Sequence, residues 1–392
     1  MTPLLSQFID LCRWAGALLV LGVHSQNAFV NLADIMTAPH SIFVYLSWFF
    51  VSFGFGHPAL VAFFVMSGYL VGGAVISQAR GDKPFLQHYL IHRFTRVYIV
   101  LVPAILLTAV LDGVGRFWFA GAGVYDSPAF AGRFTPTLAF TTALNLQEIY
   151  FPFFGTNGPL WSLACEFWYY VTFPLLLLPV ARQYSPLVRA AGFALGVVLV
   201  IVLAIPDSWF LTGYGLWALG ALASLAPRAI IRSRWISAAL YLALLLPIRL
   251  LVRGPYLEAF PFLQTASDYA STIVFLNLML AVRDSPPESW RILHTPLHKQ
   301  LADFSFSLYC VHLPLLILMR AAAMRWFGAE WGVALATGEH WIAFGVGTVV
   351  CIGVGYGFSL LTEAHTTEAR RSMRRAFDRL KPLGGHAPGT AK

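Results

Sequence analysis

Residues 96–112 read Arg96-Val-Tyr-Ile-Val-Leu-Val-Pro-Ala-Ile-Leu-Leu-Thr-Ala-Val-Leu-Asp112, and this stretch decides the fold class. Between its terminal charges every side chain is uncharged and nearly all are apolar. A helix of roughly 20 such residues crosses about 30 Å of hydrocarbon. Similar blocks recur near 12–30, 58–77, 158–181, 187–205, 209–226, 236–252, 262–282, 304–322 and 340–362. They predict an all-α protein, a polytopic transmembrane helix bundle of about ten spans. Composition agrees. Apolar residues make up 58% and charged residues 11% of the 392, whereas soluble domains average about 25% charged. So little charge cannot coat a water-facing surface of this size, which excludes a string of soluble domains. Residues 41–57 and 134–154 are apolar and aromatic but broken by Gly, Pro and polar residues. They read as interfacial or re-entrant segments.

The net charge of +8 points to topology rather than to nucleic acid, because basic residues alternate between loops. One side carries Arg80, Lys83, Arg93 and Arg96, then Arg182 and Arg189, then Arg228, Arg232 and Arg234, then Arg283, Arg291 and Lys299. The tail adds Arg370, Arg371, Arg374, Arg375, Arg379, Lys381 and Lys392 to that side. The other side has only Arg116, Arg133, Arg249, Arg253, Arg320 and Arg325, with Arg13 at the mouth of span 1. Positive-inside logic puts both termini in the cytoplasm. The chain divides into a membrane domain, 1–365, and a basic cytoplasmic tail, 366–392, read as an amphipathic surface helix. A cleaved signal peptide at 1–30 competes, but Asp10 precedes the apolar run and no basic cluster stands before Arg13. The four cysteines (Cys12, Cys165, Cys310 and Cys351) lie in apolar blocks with no metal-ligand spacing and read as small buried hydrophobes.

Ionisable residues inside a membrane are costly and mark function. Span 1 carries Asp10, Arg13 and His24. Eleven residues return a helix to nearly the same face, so Arg13 and His24 share a stripe, about 16 Å apart. The bland alternative is a snorkelling arginine and a packing histidine. Span 2 carries Phe63-Phe-Val-Met-Ser67-Gly68-Tyr69, where close helix packing alone accounts for Ser67 and Gly68. The loop after it ends His92-Arg93-Phe-Thr-Arg96; the two arginines share one face and suit phosphates, or merely set topology. Span 4 opens Asn157-Gly-Pro-Leu-Trp161-Ser162-Leu-Ala-Cys-Glu166. Glu166 and His24 both lie about 18 Å from the basic face, the matched depth that a histidine–carboxylate pair needs. Span 9 carries Phe304-Ser-Phe-Ser-Leu-Tyr309-Cys-Val-His312-Leu-Pro314, with Pro314 expected to free backbone carbonyls and kink the helix. His88 with His92, and His294 with His298, lack the further ligands of a metal site, so no metal is expected.

On these residues the chain resembles the acyltransferase 3 family of bacterial membrane acyltransferases. The likeness runs through Asp10, Arg13 and His24, the segment 63–69, the Arg93/Arg96 pair, Trp161 with Glu166, and the segment 304–314 with His312. Glu363 departs from the family pattern, being followed by Ala-His-Thr where proline is common. The resemblance implies transfer of an acyl group, commonly acetyl, from cytoplasmic acyl-CoA to a hydroxyl of a glycan or small acceptor, in the bacterial inner membrane. Acyl-CoA (acetyl-CoA) is then the co-substrate. Its phosphates would meet Arg13, Arg93 and Arg96, and His24 would act as general base with Glu166 orienting it. Asp10, Ser67, Trp161, Tyr309, His312 and Glu363 are expected to support substrate or site. A proton-coupled transporter of a sugar or small organic molecule also buries His and Glu. Against it stand the absence of an internal repeat and the arginine pair at one surface.

Overall fold

The computed structural model describes residues 1–51, 54–206, 209–252 and 254–380. Arg253, Lys381 and Lys392, read above as topology charges, lie outside the described residues. The chain is built from helices: α1 (Pro3–Phe29), α2 (Ile42–Phe50), α3 (Gly56–Ser67) running through a π-helical turn into α4 (Gly73–Ala79), α5 (Leu86–Trp118), α6 (Pro136–Ala143), α7 (Leu160–Leu176), α8 (Pro186–Ala204), α9 (Phe210–Ala223), α10 (Arg234–Leu251), α11 (Gly254–Ala259), α12 (Phe262–Arg283), α13 (Leu297–Asp303), α14 (Ser305–Phe327), α15 (Gly338–Leu361) and α16 (Thr366–Leu380). Several starts follow from sequence chemistry. Thr2, Thr135 and Ser185 each cap a backbone N–H while the next residue is Pro3, Pro136 or Pro186, a residue that fits the first helical position.

Among the described residues, nine helices are long and apolar enough to cross a membrane. They match nine of the expected blocks. The tenth, 209–226, forms the apolar helix α9, which at 14 residues reaches only about 21 Å. The stretches 41–57 and 134–154 yield the short helices α2 and α6, neither long enough to span. The expected all-α bundle is what the chain forms, with its outer helices turning apolar side chains outward. Only 11% of the most apolar window of α8 is buried, so that face meets hydrocarbon rather than protein.

α1 packs against α3, α12, α13, α14 and α15, and α14 in turn against α5 and α15. Span 2 closes on α9 through glycines. A Cβ at Gly68 would sit 1.9 Å from the Trp217 carbonyl oxygen, so only glycine lets the two backbones meet there. This agrees with the packing reading of that segment.

Pro314 sits within α14, which stays helical from Ser305 to Phe327. The proline removes the donor for the Cys310 carbonyl four residues back. Asn157 Nδ2 fills that role at 2.9 Å and also donates to Thr108 Oγ1 at 3.0 Å. Its neighbour Thr156 gives its backbone N–H and its hydroxyl to Asp112, both at 2.8 Å. Gly155, at φ +59°, leaves room for that carboxylate, since a Cβ would lie 2.2 Å from Asp112 Oδ2. The Asn157 region therefore ties α5, α7 and α14 together at one level.

Candidate functional site

That level holds two histidines. His24 of α1 and His312 of α14 stack with ring centroids 4.9 Å apart and planes 11° from parallel. Nδ1 of His24 lies 2.6 Å from Nε2 of His312. Nδ1 of His312 faces two acceptors, the carbonyls of Tyr309 at 2.8 Å and Leu308 at 3.2 Å. A carbonyl only accepts, so His312 Nδ1 carries the proton. With both rings neutral, His312 Nε2 must then accept from His24 Nδ1–H, and the lone pair of His24 rests on Nε2. The backbone of α14 thus sets the tautomer of a side chain on α1.

Sequence reasoning pairs His24 with Glu166 on matched depth, whereas in the structure His24 bonds His312 and Glu166 bonds Tyr170. No hydrogen bond joins His24 to Glu166. Glu166 accepts from Tyr170 at 2.6 Å. The Tyr170 oxygen is 3.1 Å from Ser67 Oγ, which accepts from Trp217 Nε1–H at 3.1 Å. Because Tyr170 spends its proton on Glu166, the donors run Trp217 to Ser67 to Tyr170 to Glu166. Arg93 completes this group, its guanidinium 5.8 Å from the Tyr170 ring centroid. A helix period gives depth and face along one helix but does not name the neighbour across the bundle.

His24 faces a cavity of about 1060 Å³ that is lined by Val20, Val23 and Asn27 of the same helix and lies towards the end of α1 away from Arg13. Trp161 and Tyr309 line it with Trp48, Phe153 and Trp209. Tyr309 is 2.6 Å from Ser162 Oγ and donates to the Pro159 carbonyl, which fixes its ring beside His312. Trp161 packs edge-on against Trp209, with centroids 5.5 Å apart. The cavity also holds a polar group the sequence reading missed. Asp268 is 2% exposed and gathers His57 Nε2 at 2.8 Å, Gln264 Nε2 at 3.0 Å and Trp209 Nε1 at 3.3 Å. His57, Gln264 and Trp209 all line the cavity. A carboxylate inside the apolar block 262–282 was the available signal.

The basic face gathers the other site candidates. Arg13 is 3.8 Å from Asp10, a loose pair within one helix. Arg96 is 2.8 Å from Glu363, whose other oxygen accepts from the Ser307 hydroxyl at 2.7 Å and the Ser307 N–H at 3.1 Å. Glu363 thus caps the open N-terminus of α14, a favourable place for a carboxylate, and anchors Arg96. Arg93 forms no salt bridge among the described residues and lies beside the rings of Tyr89 and Tyr170. Of the histidine pairs, His88 and His92 have ring centroids 4.3 Å apart. His298 is occupied structurally, receiving Trp14 Nε1–H at 3.0 Å and facing the Ile292 carbonyl at 2.8 Å.

A model of a family described as an acyltransferase domain matches residues 6–360. The chain is similar to the acyltransferase MdmB of Streptomyces mycarofaciens, with 29% identity over 194 residues, 48% of this chain and 44% of that protein. It is also similar to an uncharacterized protein of Haemophilus influenzae, 25% identical over 131 residues, 31% of this chain and 49% of that one. The match therefore spans about half the length of these curated relatives, or a little less. No solved structure matches the chain.

Proposed function

The chain belongs to the acyltransferase 3 family of membrane acyltransferases, and from that premise we propose that it carries an acyl group from a CoA thioester at its basic face to a hydroxyl held in the opposite cavity. The single observation that carries this reading is the placement of His24. It shares a helix stripe with Arg13, about 16 Å away, it opens on the cavity, and its tautomer leaves Nε2 as a base. Phosphates of CoA suit Arg13, Arg93 and Arg96, since guanidinium groups hold phosphate oxygens in a bidentate fork. The thioester arm runs from them along α1 towards His24.

The step then balances as follows. His24 Nε2 takes the proton of the acceptor hydroxyl as that oxygen bonds to the thioester carbonyl carbon. The C–S bond breaks, and the thiolate of CoA leaves with the proton held on His24 Nε2, which restores the neutral imidazole. His312 holds His24 in the productive tautomer and shares the imidazolium charge through the 2.6 Å contact, the orienting role that a carboxylate plays in other triads. Glu166, bound to Tyr170, acts on the donor side instead, and Asp10 and Glu363 hold Arg13 and Arg96 in place.

On the acceptor side, Trp48, Trp161 and Trp209 offer flat apolar faces, while His57, Gln264 and Glu148 offer hydrogen bonds. That mixture suits a polyhydroxylated ring such as a sugar on a glycan. We take acetyl as the acyl group, as is common in the family. The basic loops put both termini in the cytoplasm of a bacterial inner membrane.

The test is transfer itself. Purified protein with radiolabelled acetyl-CoA should release free CoA and form alkali-labile label on extracted cell-surface glycans, and the His24→Ala protein should not. Mass spectrometry of surface glycans with and without the gene should differ by the mass of an acyl group. Equal glycan masses together with no release of CoA would overturn the reading.

A further inference from the structure

The basic face holds one more arginine than the reading above uses. α16 lies across the first turns of α5, with Thr95 Oγ1 3.5 Å from Met373 Sδ. Arg370 stands one turn before Met373 on α16, and Thr95 lies between Arg93 and Arg96 on α5, so the contact sets Arg370 over the face of α5 that carries those two arginines. Arg370 thus joins Arg13, Arg93 and Arg96 on the basic face. Asp10 and Glu363 answer Arg13 and Arg96. Arg93 and Arg370 form no salt bridge among the described residues, and the Nε–H of each is buried without an acceptor. Like charges held together with donors unsatisfied cost free energy. An anion with several oxygens removes that cost.

We propose that Arg370 on α16 binds the 3′-phosphate of a free CoA thioester, so that the donor is CoA-bound rather than carried on an acyl carrier protein. The inference rests on the CoA reading above and follows from order along the ligand. With the thioester at His24, the diphosphate comes next and meets the inner arginines, Arg13, Arg93 and Arg96. The 3′-phosphate on the ribose lies farthest from the thioester. Arg370 comes from α16, which packs on the outside of the first turns of α5, whereas Arg13, Arg93 and Arg96 belong to the spanning helices α1 and α5. A phosphopantetheine arm on a carrier protein has a single phosphodiester and nothing to place there.

The experiment measures binding of CoA and of dephospho-CoA, which lacks only the 3′-phosphate, to the purified full-length protein. It uses nanodiscs of phosphatidylcholine, with and without phosphatidylglycerol. The wild type should prefer CoA by about tenfold or more, the size of a charge-assisted contact. Arg370→Gln should bring CoA down to the level of dephospho-CoA and leave dephospho-CoA unchanged. Arg370→Lys should recover part of the preference, having charge without the fork. If Arg370→Gln weakens both ligands equally, Arg370 only supports the inner arginines and the proposal fails. If it keeps the CoA preference and loses only stabilisation by phosphatidylglycerol, Arg370 meets a lipid headgroup and the proposal fails again. If the wild type binds neither ligand, the CoA reading itself falls.

Discussion

The two ends of the stripe on α1 are built on opposite principles. At the basic face, charge exceeds its partners. Arg93 and Arg370 form no salt bridge among the described residues, and their buried Nε–H groups have no acceptor. About 16 Å further along the same helix, the carboxylates at the cavity are paired, Asp268 with His57 and Glu148 with Arg133. His24 and His312 satisfy one another through a backbone-set proton, and aromatic rings enclose the space beyond. On the proposed function, the first end receives an anion that arrives from water, and the second moves a proton a short distance between neutral groups. Each would fail at the other's task, since a desolvated arginine cluster is costly inside a membrane and a neutral histidine pair does not hold phosphate.

The division can be broken at its chemical end first. His24→Ala should lower turnover about 10²–10⁴-fold with donor affinity unchanged, read as kcat against CoA binding. His312→Gln should cost about 10²-fold, and the double variant should be little worse than His24→Ala, because the two act as a unit. If the two losses multiply, the dyad is not one device.

The boundary between the ends is tested by Glu166→Gln. A pair with His24 would make this change nearly as damaging as His24→Ala. The observed bond to Tyr170 leads instead to a loss within about tenfold, expressed in KM for the donor and multiplying with His24→Ala. In the cavity, Asp268→Asn should raise KM for the acceptor about tenfold with kcat nearly kept. The His57 ring loses the charge that holds it but stays clear of the reacting atoms. Glu363→Gln should leave kcat unaltered and lower stability by roughly 2 kcal/mol, seen in thermal unfolding. It removes the partner of Arg96, and the half-exposed arginine recovers some of the loss from water.

Which residues are buried in the membrane was legible because apolar blocks are contiguous in the chain. Which of them meet was not, because a helix period gives depth and face but no neighbour. Glu166 suited His24 by depth, and only the packing of α14 against α1 brings His312 to it. Asp268 stood in an apolar span with the same signal as Glu166, while its partner His57, at the very start of α3, looked like a residue of the interface. Arg370 was read as one of many tail charges. Nothing local says that α16 folds back onto α5, since its amphipathic pattern fits a membrane surface equally well. Pro314 was expected to kink its helix, and the Asn157 side chain replaces the missing donor.

Sidedness tests the central claim most directly. Proteoliposomes sorted for a single orientation would receive radiolabelled acetyl-CoA either outside only or trapped inside only, with glycan acceptor on both sides. The account expects free CoA and acylated glycan only when the donor meets the face bearing Arg13, Arg93 and Arg96, and none with His24→Ala. Equal activity with donor on either side, or retained activity in His24→Ala, would contradict it.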